Sequence, residues 1–202
     1  GCGKTTLAME VAKRFNAKRN CKVFVTALTG AATLVLKTKL TAQCLPYACS
    51  TTHSLLCSPD TSGYGLSFKP RVMREWESYK DVLVIIDEAS MASVDLVATI
   101  KKTVRETRRT HGTQIKLLWM GDPYQLHPVN VKNDPKHNIG IDLYNPTFML
   151  DKIYRNDGQI LKLATAIRNN QPKPSIDKSV GDVVDMQVKI NAEGIANGAI
   201  WT

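Results

Sequence analysis

No apolar run in this chain approaches the ~20 residues that a membrane-spanning helix requires. No secretory signal is visible either, because the first residue is Gly1 and the first helical stretch is basic and amphipathic. The five cysteines form an odd set without a C-x-x-C pair, which fits reduced thiols in a cytosolic setting rather than a disulfide framework. Cys49-x3-His53-x3-Cys57 has a spacing suited to a metal, but no fourth ligand accompanies it. Internal repeats and low-complexity tracts are lacking. Acids are scarce, 18 against 27 Lys and Arg, so the net charge is +9. That balance fits an anionic partner, nucleic acid before membrane, unless an acidic segment elsewhere offsets it. An initiator Met and a terminating signal after Gly198-Ala-Ile-Trp-Thr202 are also lacking, and the expectation is a piece cut at both ends.

What is present suits one α/β domain with a sizeable core, or one domain and part of another: 202 residues, 43% hydrophobic and 22% charged. Spacing predicts a helix over 5–15, with Leu7, Val11 and Phe15 on one stripe and Ala8 and Ala12 beside it. Further helices are expected over 31–40, over 93–109 through Val94, Val97, Ile100 and Val104, and over 157–168. The last would bury Ile160, Leu163, Ala164 and Ile167, with Asp157 as N-cap. Lys22–Ala27 and Gln114–Met120 read as strands, and Asp81–Ile86 is the clearest, apolar on both faces as a central parallel strand must be. Alternating strands and helices predict a parallel sheet with helices on both faces.

Two stretches leave that rhythm. Residues 58–78 hold Asp60-Thr-Ser-Gly63 and Gly65, turn chemistry that fits a small inserted hairpin. Residues 170–202 lose periodicity after Pro172 and Pro174 and read as a linker entering a truncated second domain, with 1–169 as the main one.

Chemistry enters at the start of the chain. Gly1-Cys2-Gly3-Lys4-Thr5-Thr6 matches the tail of G-x-x-x-x-G-K-[ST], with the first glycine missing. Backbone N–H groups of such a loop and of the following helix surround phosphates. Lys4 would reach the β- and γ-phosphates of ATP, and the Thr5 hydroxyl would ligate Mg²⁺. Alone, this run is also compatible with an ordinary helix start. The strand 82–86 then ends in Asp87-Glu88, and ligands of an open parallel sheet gather at the carboxyl ends of strands. Asp87 would hold Mg²⁺ through water, and Glu88 would orient and deprotonate the attacking water. A third strand ends in Gly121-Asp122-Pro-Tyr-Gln125-Leu-His-Pro128. A glycine there permits an unusual backbone, and the Gln125 amide would touch a γ-phosphate or the water.

Taken in order, these segments resemble the superfamily 1B DNA helicases, most closely the RecD-like and phage Dda-type 5′→3′ enzymes. Gly1–Thr6 resembles motif I, Ala27-Leu-Thr29-Gly30-Ala-Ala32 motif Ia, and Ser50-Thr-Thr52-His53-Ser-Leu-Leu56 motif Ib. Val84-Ile-Ile-Asp87-Glu88-Ala-Ser90-Met91 is similar to the D-E-x-S-M form of motif II, and Gly121–Val129 to motif III. Leu150-Asp-Lys-Ile-Tyr154-Arg155 with the helix after it resembles motif IV. Leu28 and His127 stand where the family commonly has proline, and motifs V and VI do not occur in these residues.

The resemblance implies a RecA-like P-loop NTPase fold and an ATP-dependent helicase. Its nucleotide would contact Gly1, Cys2, Gly3, Lys4, Thr5, Thr6, Asp87, Glu88 and Gln125, with Arg155 as a finger on the γ-phosphate. It implies single-stranded DNA near Thr29, Gly30, Thr52 and His53, a duplex fork as partner, and a second RecA-like domain in cis. The insertion, with Tyr64, Phe68 and Trp76 among Lys69, Arg71 and Arg74, would be a strand-separating pin, or its aromatics would anchor a hairpin to the domain. Thr51 and Thr52 also suit capping of the short helix holding His53, a reading level with DNA contact at Thr51, whereas DNA contact is the favoured reading at Thr52 and His53. The stripe Lys101, Arg105, Arg108 and Arg109 reads as a solvated helix face. Single-strand-binding and replication proteins are further candidate partners, in the cytoplasm of a bacterium or phage-infected host serving replication, recombination or repair. The same motifs suit a recombination exonuclease subunit or a conjugative relaxase, whereas a nucleotide switch would need an N-K-x-D motif that is not here. In isolation these residues would bind nucleotide and DNA without unwinding.

Overall fold

The apolar run after Lys80 and the shorter one after Asn20 become neighbouring strands at the centre of a parallel sheet. The computed structural model describes residues 2–60, 67–129, 133–154, 158–169 and 171–172. Within the larger of two units, Lys4–Met149, the order is α1 (Lys4–Asn16), β1 (Cys21–Ala27), α2 (Gly30–Ala42), β2 (Ala48–Thr51), α3 (Thr52–Leu56), β3 (Cys57–Asp60), β4 (Ser67–Pro70), β5 (Asp81–Asp87), α4 (Val94–His111) and β6 (Gln114–Trp119). The second unit holds Cys2, Gly3 and the residues from Leu150, including α5 (Gly158–Arg168). Among the described residues no helix is long and apolar enough to cross a membrane.

The sheet runs β2-β1-β5-β6, every pairing parallel, with Ala27 opposite Asp87 at the carboxyl end. Alternate residues of β5 serve different cores because a strand presents successive side chains to opposite faces. Leu83 and Ile85 join Val23 and Val25 under α1 and α2, where Ala8, Met9, Ala12, Leu36 and Leu40 are buried. Val82, Val84 and Ile86 join Leu96 and Ile100 of α4, with Leu56, Met73 and Trp76. This is the parallel sheet with helices on both faces expected from the alternation, and it agrees with the RecA-like P-loop fold that the resemblance implies. The inserted hairpin is also present: β3 and β4 pair antiparallel, Cys57 opposite Pro70 and Asp60 opposite Ser67, as a separate sheet.

Helix positions agree closely with the sequence, but buried stripes do not. In α1 the buried residues are Ala8, Met9 and Ala12, whereas Leu7 and Val11 are exposed. Small side chains let the helix backbone lie close to the sheet, and periodicity alone does not choose between adjacent stripes. In α4, Thr103 and Thr107 are buried and Val94 is exposed. In α5, Leu163 and Ala166 are buried while Ala164 and Ile167 are exposed; Asp157 lies outside the described residues. Strand β2 has no apolar run to announce it: it is a short edge strand that among the described residues pairs only with β1.

Candidate nucleotide site

Asp87, the last residue of β5, is buried at 9% exposure, and its Oδ1 accepts the Glu88 N–H at 2.9 Å. Burial pushes its carboxyl above the ordinary carboxylate range, against the opposing pull of the Glu88 amide and of the Lys4 and Lys39 charges. The Lys4 charge, at the first position of α1, is therefore felt at the Asp87 carboxylate. Thr5 is half-buried and Thr6 exposed in the same helical turn. Gly3, in the second unit, has φ +82, a left-handed backbone that favours glycine. Cys2 is half-buried, while Gly1 and Arg155 lie outside the described residues.

Glu88 adopts φ 58 and ψ 39, left-handed for a side-chain-bearing residue, where the chain turns from the strand into a 3-10 turn over Ala89–Met91. Such strain, of order 1–3 kcal/mol, persists where surrounding contacts over-determine it. Those contacts come from the end of β6. Met120 N donates to Ile86 O at 2.9 Å, and Ala89 N donates to Met120 O at 2.8 Å. Gly121 follows without a left-handed φ, so the expected unusual backbone is replaced by a close approach: an added β-carbon would stand 3.0 Å from Ser90 N and 2.8 Å from Leu143 Cδ1. Ser90 is fully buried, and its hydroxyl has no hydrogen-bond partner among the described residues. Gln125 is exposed on the turn closed by its own N–H to Asp122 O at 3.0 Å. His127 Nε2 lies 2.8 Å from Pro123 O in the position where proline was expected.

A segment invisible to motif reading straps this corner. Val94 N donates to Asn138 O (2.9 Å) and Gly140 N to Ala92 O (2.7 Å), with Ser93 bridged to Ile139. Leu143 is buried against Gly121. A second missed element is a hydroxyl chain below Asp87: Thr52 Oγ1 donates to Thr26 Oγ1 (3.0 Å), which donates to Ile85 O (2.9 Å).

That chain corrects one expectation. Thr52 is fully buried with its hydroxyl engaged inside the sheet, so its side chain holds strand ends together instead of meeting a DNA phosphate. Thr51 caps α3, accepting from Ser54 N, and Thr29 caps α2, accepting from Ala32 N at 3.2 Å. Gly30 opens α2 and is exposed. His53 is half-buried against Phe68, ring centroids 4.7 Å apart, and burial lowers its pKa below 6.5. Trp76 is no exposed stacking residue: it is fully buried, its ring 5.0 Å from that of Phe24. Tyr64 lies outside the described residues. Lys101, Arg105, Arg108 and Arg109 are all exposed on α4. Cys49 turns its thiol to Thr33 O, burial pushes the Cys57 thiol up to about 11, and no metal-holding cluster forms among the described residues.

The profile of the AAA domain family matches residues 1–183. An uncharacterised protein of Acanthamoeba polyphaga mimivirus, R530, is 32% identical over 102 residues, 50% of this chain and 19% of that protein. Among solved structures, one described as the basis for DNA unwinding at forked duplex DNA by two coordinating Pif1 helicases aligns over 94% of this chain at 22% identity and TM-score 0.53. Bacteroides Pif1 bound to single-stranded DNA aligns over 98% at 20% identity and TM-score 0.52. Bacteroides sp. Pif1 in complex with ADP-AlF4 aligns over 98% at 21% identity and TM-score 0.53. This chain spans 45–51% of the length of those structures.

Proposed function

Because the chain belongs to the AAA domain family, we propose that it is the first motor domain of an ATP-driven superfamily 1B DNA helicase of the RecD-like and Dda-like kind. The observation that carries this reading is the buried Asp87 carboxylate at a central strand tip, within the field of Lys4 at the start of α1.

ATP would lie over the carboxyl ends of β1, β5 and β6. Lys4 neutralises charge on the β- and γ-phosphates, and backbone N–H groups at the start of α1 add their partial charge. The donor set fits a magnesium ion: a buried carboxylate and a hydroxyl, hard oxygen ligands for a hard cation. Asp87 and Thr5 would hold it, and when bound it offsets negative charge on the phosphates. Glu88 orients the attacking water and takes its proton. Its left-handed backbone turns the chain out of the strand direction directly after Asp87. Gln125, on the turn after β6, is the amide that reports the γ-phosphate.

Single-stranded DNA would cross the face that carries the start of α2, with Thr29 and Gly30, and the His53–Phe68 ring pair. A helix N-terminus and a ring pair hold backbone and bases without reading sequence, as a translocating motor needs. The net charge of +9 favours such a partner. A second RecA-like domain in cis would close over the nucleotide and drive 5′→3′ translocation toward a duplex fork. The test uses the complete polypeptide and a forked DNA substrate. Lys4→Ala should abolish hydrolysis and unwinding, and Glu88→Gln should keep ATP binding and lose turnover. A Glu88→Gln protein that still hydrolyses ATP at the wild-type rate would overturn these roles.

A further inference from the structure

Among the described residues the β3–β4 hairpin shares no ladder with the main sheet, and its strands are four residues each. A two-stranded unit of that size is marginal by itself, so its orientation depends on what ties it down. The ties come from α4. Thr103 Oγ1 donates to Leu56 O at 2.8 Å and accepts from Arg71 N at 3.1 Å. Leu56 ends α3, the helix carrying His53, and Arg71 follows directly on β4, the strand carrying Phe68. One buried hydroxyl therefore uses both its donor and an acceptor lone pair on the two elements whose rings meet at 4.7 Å. Two further bonds brace the same segments: Met73 N donates to Thr107 Oγ1 of α4 at 3.2 Å, and Arg71 Nη1 donates directly to Ser54 O of α3 at 3.0 Å.

Threonine is an indifferent helix former, and inside a helix its hydroxyl commonly turns back to the carbonyl one turn earlier. Thr103 instead reaches across to segments 47 and 32 positions away in sequence. Leucine or valine there would fill the core but take the hydroxyl partner from a buried carbonyl and a part-buried amide.

We infer that Thr103 is a positioning residue that sets the His53–Phe68 ring pair and thereby the grip on single-stranded DNA. This rests on the helicase reading above. α4 starts six residues after Glu88 and is strapped to residues 138–140, so the same helix that leaves the hydrolytic corner holds both feet of the hairpin.

The experiment compares Thr103→Val, Thr103→Cys and Thr103→Ser in the complete polypeptide. It reads ATP KM, hydrolysis without DNA, the oligo-dT concentration for half-maximal stimulation, and the His53 titration by NMR. Thr103→Val should raise the oligo-dT requirement about fivefold, the factor that loss of a net ~1 kcal/mol hydrogen bond implies, and leave ATP KM and DNA-free hydrolysis as in wild type. His53 should titrate closer to its ordinary value as its packing loosens. Thr103→Ser should restore wild-type behaviour, and the near-isosteric Thr103→Cys, a weaker donor, should fall between; it carries the test if Thr103→Val does not fold. An unchanged oligo-dT requirement in folded Thr103→Val or Thr103→Cys overturns the inference, as does a parallel rise in ATP KM. Wild-type protein whose hydrolysis ignores DNA overturns the helicase reading, and this inference with it.

Discussion

Gly121 and Ser90 are packed backbone to backbone: a β-carbon on Gly121 would stand 3.0 Å from Ser90 N. The turn that leaves β5 after Asp87, beginning with Glu88, is thus locked against the loop after β6, which leads to Gln125. The lock is double, since Ala89 N also donates to Met120 O.

Gly121→Ala should cost about 1–3 kcal/mol, the usual range for overpacking a tight site, because Ser90 N is backbone and only Leu143 Cδ1 can swing aside. Gly140→Ala should cost more. Its β-carbon would meet Ser93 O at 2.7 Å and Val94 Cα at 2.8 Å, both backbone at the start of α4. Urea unfolding of both variants checks the order; a Gly140→Ala protein more stable than Gly121→Ala contradicts the strap.

Asp87→Asn should stabilise the nucleotide-free protein at neutral pH while removing turnover. Burial holds the folded-state pKa above the unfolded one, so the unfolded chain ionises first as pH rises. The aspartate's stability contribution is therefore full below the ordinary carboxylate value, 3.8, and is lost as pH climbs through the raised one. Asparagine keeps an acceptor for Glu88 N without that charge. A rise in Tm is expected at pH 7, about 2–4 °C for each kcal/mol in a chain of this size, shrinking as pH falls toward 4. A lower Tm for Asp87→Asn at pH 7 would refute it.

Thr26→Val should destabilise by about 1–3 kcal/mol, since it removes the acceptor for Thr52 Oγ1 and the donor to Ile85 O in a dry site. Thr52→Val, which removes only the outer donor, should cost less. Equal costs in chemical denaturation would show that the two hydroxyls do not act as a chain.

His53 gives the protein an acid-sensitive point. Its folded-state pKa lies below 6.5 because the ring is half-buried, so the unfolded chain takes up the proton first as pH falls. The stability it contributes is present above pH 6.5 and is lost as pH drops through the lowered value. His53→Gln should lack this component, so the wild-type minus variant stability should decline on acidification from about pH 8 to about pH 5. A difference that stays flat across that range removes His53 as its source.

Much of this was readable in the chain. β5 announces itself because a strand covered on both faces must be apolar throughout, and its Asp87-Glu88 end lies where parallel sheets collect ligands. The hairpin was readable from turn chemistry over 60–65. β2 was not, because a four-residue edge strand needs neither periodicity nor apolar content. Nor was the 138–143 strap, whose contacts are backbone hydrogen bonds and one glycine with no local signature.

The α/β class and the succession of the main helices and apolar strands were legible in the sequence itself, since residue type, spacing and polarity pattern are local properties. Tertiary structure alone decided that α1 buries Ala8 and Met9 and leaves Leu7 exposed, that Thr52 faces inward, and that Thr103 grips two distant segments. Each of those depends on which groups from far along the chain arrive to exclude water or complete a hydrogen bond, and a buried hydroxyl looks the same in sequence as a solvated one.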